Sequence, residues 1–191
     1  MKAPIVLSII LLSSMPIKAQ YEYEPSKEYP FGRIHPDAPE QLADFGPMIG
    51  ESKCESVTRA PDQSWNPPHE MIWRFKYIMN GMAVQDEALR TEAPSAGSIR
   101  QFNPDSSAWY VHYYSSGSAL PTLPSWEGNK TEDGKIILYR EQKAPNGVDG
   151  FFRITFFDVT DESFEWLGEW VNTQETFSFP TWKISCDKIQ I

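Results

Sequence analysis

Alternation with period two dominates the stretch from Met71 to Ala88. Met71, Trp73, Phe75 and Tyr77 fall on one side of an extended segment, with Arg74 and Lys76 on the other, as expected of a strand with one buried face. Asn80-Gly81 then interrupts the run. Both residues tolerate the positive φ of a type I′ turn, so the pair predicts a two-residue β-hairpin. That turn sets Met79 opposite Met82, Tyr77 opposite Val84, Phe75 opposite Asp86, Arg74 opposite Glu87 and Trp73 opposite Ala88, since facing residues share a side of the sheet. The charged side is wet, so the aromatic side is buried, and Asp86 is buried with it. A buried carboxylate without a partner costs on the order of several kcal/mol, and the pattern therefore demands a cation nearby.

From Met48 onward, strand-like runs are separated by turn signals at Asn80-Gly81, Asn103-Pro-Asp, Glu132-Asp-Gly, Pro145-Asn-Gly and Thr160-Asp-Glu. Spacings of this kind give about ten strands and no long amphipathic helix. The fold class expected is all-β: a single antiparallel up-and-down barrel of about ten strands over residues 48–191, whose closure removes exposed edges. Residues 20–47, rich in Pro, Glu and Tyr, predict an irregular N-terminal arm on the barrel surface with at most a short helix from Pro39 to Phe45. In the first strand Gly50, Ser52 and Cys54 share the inner face; in the last, Trp182, Ile184 and Cys186 do. A closed barrel sets those strands side by side, which suits a Cys54–Cys186 disulfide; two inert buried thiols are the alternative.

The run Ser163 to Val171 places Phe164, Trp166 and Trp170 inward against Glu165 and Glu169. Carried back across an even-length turn at Thr160 to Glu162, this parity puts Phe151, Arg153, Thr155 and Phe157 inside. The hairpin around Asn146-Gly147 then adds Ile136, Leu138 and Arg140. A loop at Pro104 to Ser107 sets Phe102 opposite Trp109 and Arg100 opposite Val111, which brings Arg100 inside and sends His112 outward; a loop one residue longer or shorter would swap these faces. The assignment leaves Ile137, Tyr139, Phe152, Ile154 and Phe156 as an outer apolar patch, to be covered by the arm or by a second subunit in a homo-oligomer. Phe179 and Trp182 can both point inward only across a bulge at Pro180.

Composition narrows the setting. Residues 1–19, MKAPIVLSIILLSSMPIKA, have a basic start, a short apolar run and a small residue before Gln20, the pattern of a secretory signal peptide. The apolar run is too short to span a bilayer as a helix, and no cysteine there could receive a lipid, so the expectation is a soluble exported protein, periplasmic or secreted. The chain carries 17 basic against 26 acidic residues, and loss of Lys2 and Lys18 with the leader makes it more acidic still. That balance argues against a nucleic-acid partner.

The stretch LADFGPMIGESKCES followed by antiparallel strands, with FFRITFFDVTDESFEWLGEW near the end, resembles lipocalin-like exported bacterial proteins of the calycin type, several without assigned activity. The resemblance spans about Gln41 to Ile189 and implies a barrel. The Gly-x-Trp of lipocalins is Gly50-Glu51-Ser52 here, so the tryptophan that plugs the barrel base is missing.

The residues thus predict a cavity with Asp86 paired to Arg100, further arginines at Arg140 and Arg153, and aromatic walls from Trp73, Trp109 and Trp166. Such a lining suits a small amphipathic anion. A satisfied ion pair in a filled structural core is the bland alternative. An isomerase or lyase would use Asp86 as acid or base and Arg100 or Arg153 for an oxyanion. His35, His69 and His112 show no metal-ligand spacing, no cofactor is expected, and haem on His112 or His69 is a remoter possibility.

Overall fold

A computed structural model describes residues 21–190; the expected signal peptide lies outside the described residues. Ten strands follow a 3-10 helix at Glu40–Met48: β1 Gly50–Thr58, β2 His69–Ile78, β3 Ala83–Leu89, β4 Ala96–Asn103, β5 Ala108–Ser115, β6 Ser125–Lys130, β7 Ile136–Glu141, β8 Gly150–Phe157, β9 Ser163–Asn172 and β10 Ser178–Lys188. Each strand pairs antiparallel with its neighbours in sequence, and β1 pairs with β10, so the sheet closes into an up-and-down barrel. No helix among the described residues is long and apolar enough to cross a membrane.

The β2–β3 hairpin has the predicted register, Phe75 facing Asp86 and Tyr77 facing Val84. Its turn is longer than Asn80-Gly81 alone. Met79, Asn80 and Gly81 all take positive φ, at 56°, 53° and 79°, and Ile78 O accepts both Gly81 N–H and Met82 N–H at 3.1 Å. Met79 and Met82 therefore belong to the loop rather than facing each other in the ladder. Because the loop grows by one residue on each side, every pairing behind it is unchanged.

Strand direction gives the barrel two ends. The chain enters β1 at the end where β2 turns into β3, and the 3-10 helix closes it there. Leu42, Phe45 and Met48 are fully buried. The Phe45 ring meets Trp109 at 4.9 Å and Phe156 at 6.0 Å, both edge-to-face, and Trp109 Nε1–H donates to Asp44 Oδ2 at 3.1 Å. This segment is a base plug, not a surface feature, and an aromatic from outside the sheet stands where a strand tryptophan was missing. Only residues before the helix behave as an arm: Tyr77 N–H donates to Phe31 O at 2.8 Å and His35 N–H to Gly81 O at 3.2 Å. Gly81 permits that contact, since a Cβ there would lie 2.3 Å from Arg33 O.

Strand β8 corrects the sequence reading. Phe157 faces Glu165 across β8–β9 with seven residues between them, an odd number where the sequence parity requires an even one, so Phe152, Ile154 and Phe156 point inward and Phe151, Arg153, Thr155 and Phe157 outward. Across β7–β8, Ile136 faces Phe156, which is also an odd loop. The two errors cancel, and Ile136 and Leu138 are buried as predicted. The outer patch thereby loses Phe152, Ile154 and Phe156, the residues that made an oligomer attractive. The strand β10 does carry a register shift between Pro180 and Trp182, the bulge its proline required.

Cys54 faces Cys186 across β1–β10 and the two form a disulfide joining residues 132 apart in sequence. It fastens the seam at which the barrel closes. Such a loop contributes about 5 kcal/mol in the chain-entropy model. Replacing both cysteines by serine is expected to lower unfolding free energy by about 4–5 kcal/mol in a denaturant titration; an unchanged midpoint would refute a stabilising clasp.

Candidate functional site

The site is built from the inner faces of β2, β3 and β4. Register places Asp86 inward on β3, where it is 4% exposed. Trp73 Nε1–H donates to its Oδ2 at 2.7 Å, while Ser98 Oγ–H and Arg100 NH1 both donate to Oδ1. Arg100 NH1 also reaches Ser98 Oγ at 2.7 Å. The guanidinium, likewise 4% exposed, lies over Phe45, Phe75 and Phe156 at 5.1, 5.1 and 5.6 Å. Burial pulls its pKa down to about 9, which leaves it protonated at neutral pH. Two charges that would each be costly to bury alone are held as a hydrogen-bonded pair.

Beyond this pair, towards the open end, lies a cavity of about 280 Å³, just under the usual range of ligand pockets, about 300–1,000 Å³. Asp86 and Arg100 border it on one side, and Trp73, Trp166, Trp182, Phe152 and Ile154 are among its walls. Near the mouth stand Tyr113, Trp126, Arg90 and Arg140. Arg140 lies over the Trp126 ring at 5.2 Å and Arg90 over Trp182 at 5.8 Å.

The structure brings Asp86, Arg100, Arg140, Trp73 and Trp166 together around one space. It does not bring in two of the predicted residues. Trp109 is spent in the base plug. Arg153 is on the outer face, where it binds Glu169 at 2.8 Å and also pairs with Glu175; its removal follows from the β8 parity. The isomerase or lyase alternative loses Arg153 with it, and both Asp86 oxygens already accept hydrogen bonds. None of His35, His69 and His112 lines the cavity, and His112 Nδ1 meets Ser125 Oγ at 2.8 Å instead, so haem ligation from the wall has no residue to carry it.

Arg90 was missed, although the signal was present. Val84, Asp86 and Ala88 alternate inward along β3, and the next step of two is Arg90, immediately past the strand's end. Among the described residues neither Arg90 nor Arg140 has a carboxylate partner, whereas Arg74, Arg100 and Arg153 do. Three N–H groups of the cavity lining are enclosed without any acceptor: Arg90 Nε, Arg100 Nε and Trp126 Nε1.

No protein-family model and no curated protein matches the chain. The likeness to lipocalin-type barrels is accordingly one of architecture.

Asp86→Ala is expected to cost about 3–5 kcal/mol of stability, because it strands Arg100 in an apolar interior, and Asp86→Ala combined with Arg100→Leu is expected to recover part of that loss. Urea unfolding reads both. A single variant that unfolds at the wild-type midpoint would mean the pair is not buried.

Proposed function

We propose that the barrel binds a small amphipathic anion, its apolar body against the tryptophan-lined wall and its charge met by guanidinium groups. The observation that carries this reading is an excess of unanswered donors in an apolar cavity: Arg90 and Arg140 lack carboxylates, and each enclosed N–H without an acceptor costs about 1–3 kcal/mol. A ligand bearing acceptor oxygens supplies what the protein omits.

Charge distribution supports the direction of entry. At the open end, Arg59, Arg90 and Lys143 stand against Asp62, Glu92, Asp149 and Glu175 in the connecting loops, Glu175 being paired with Arg153, and the β5–β6 connection has no charged residue. At the plugged end, Asp158, Asp161 and Glu162 share one loop and Glu132 and Asp133 another, with Lys135 as the counter-charge. In a chain of net charge −9, the mouth is thus the side an anion can approach. The disulfide and the N-terminal leader pattern support a binding protein working outside the cytoplasm, periplasmic or secreted.

Native mass spectrometry of gently purified protein is expected to retain a small acidic molecule. Titration with the amphipathic anion anilinonaphthalene sulfonate, followed by its fluorescence, is expected to saturate, and Arg90→Gln with Arg140→Gln to weaken binding at least about tenfold, since hydrogen bonds to charged groups contribute about 1.5–3 kcal/mol each. Undiminished binding by that double variant would contradict the guanidinium-lined mouth.

A further inference from the structure

Trp126 begins the inward alternation of β6, facing Val111 on β5. Its ring meets Phe152 edge-on at 6.3 Å and carries Arg140 on one face. At 9% exposure it is nearly enclosed. Three other inner-face tryptophans give their indole N–H to a side-chain oxygen, Trp73 to Asp86, Trp109 to Asp44 and Trp182 to Ser56 at 2.8 Å, while the Trp166 indole has no such acceptor but is not sealed within the wall as that of Trp126 is. The Trp126 Nε1–H, buried in the lining of the cavity, meets none. Buried indoles normally find an acceptor, so this one, beside an arginine that also lacks a carboxylate, marks a position built for an oxygen that the chain itself does not provide.

We infer that the acidic head of the ligand is a carboxylate seated at the mouth on the β6–β7 wall, one oxygen accepting from Trp126 Nε1–H and the head paired with the Arg140 guanidinium, with the apolar body directed towards Trp73 and Trp166. This rests on the reading of the barrel as an anion binder and adds which anion and which way round. The opposite orientation is disfavoured by Asp86: a head group at the floor would meet that carboxylate, and although Arg100 Nε is also free of an acceptor, its charge is already matched. A phosphate monoester fits less well, because its second negative charge calls for a second guanidinium at the same place, and only Arg140 lies against Trp126 whereas Arg90 lies over Trp182. The lining holds no lysine, and its hydroxyls are Ser98, which already donates to Asp86, and Tyr113.

Isothermal titration of the whole protein with decanoate, decanol and decyl phosphate tests the assignment. Decanoate is expected to bind most tightly. Trp126→Phe, which keeps an aromatic ring but no donor, is expected to weaken decanoate about fivefold to tenfold and to leave decanol unchanged; Arg140→Gln is expected to weaken decanoate further. In wild-type protein the Trp126 indole N–H resonance is expected to move downfield on adding decanoate, a readout that does not depend on how well a variant folds. Decanoate binding that ignores both substitutions and leaves the indole resonance in place would put the head group elsewhere, overturning the inference while leaving an anion-binding barrel. Failure of both decanoate and decyl phosphate to bind wild-type protein would remove the inference together with the reading beneath it.

Discussion

A carboxylate held inside a barrel by the register of one hairpin organises this protein. Asp86 cannot turn outward without shifting β3 by a residue against β2, which would expose Val84 and bury Glu87. Its presence inside therefore requires Arg100, Ser98 and Trp73 to be where they are, on the two flanking strands. The pair also divides the interior. On one side the Arg100 guanidinium stacks on the aromatic rings of the plugged end; on the other, Asp86 borders a cavity that is otherwise largely apolar. A pair that neutralises its own charge leaves the remaining cavity-lining arginines, Arg90 and Arg140, as a net positive feature of that space.

Closure makes this arrangement persistent. The ten-stranded ladder has no free edge, the disulfide fastens its seam, and the 3-10 helix fills the base with Leu42, Phe45 and Met48. The plug comes from a segment whose buried residues recur every three positions, the period of a 3-10 helix rather than of an amphipathic α-helix or a strand, with Pro39 and Pro47 close to its ends. One end of the barrel is thereby sealed and acidic, while the other holds the arginines and the cavity mouth.

What could be read from the sequence depended on loop length. Asn80-Gly81 and the Pro104 to Ser107 loop set the faces of β2 to β5 correctly, and with them the Asp86–Arg100 pair, because both loops are of even length and the strands they join alternate cleanly. Alternation in the first and last strands likewise placed Cys54 and Cys186 on one face. The face of β8 was not legible, since Phe151 to Phe157 offers apolar residues to both sides and the odd loops flanking it give no residue-level sign of their parity. Arg153 was misplaced for that reason. Trp109 was placed on the correct face but not at the correct depth, which depends on the plug. Arg90 lay one step beyond a pattern already recognised, and Trp126 sits in a strand too short to show alternation.

Hydrogen exchange at the Trp73 indole measures the enclosure of Asp86 most directly, because that N–H is bonded to the carboxylate itself. The account predicts that it exchanges only through global unfolding, at the rate of the slowest strand amides. Exchange as fast as at the loop residue Trp65 would show the carboxylate open to water, and the sealed pair on which the cavity rests would be contradicted.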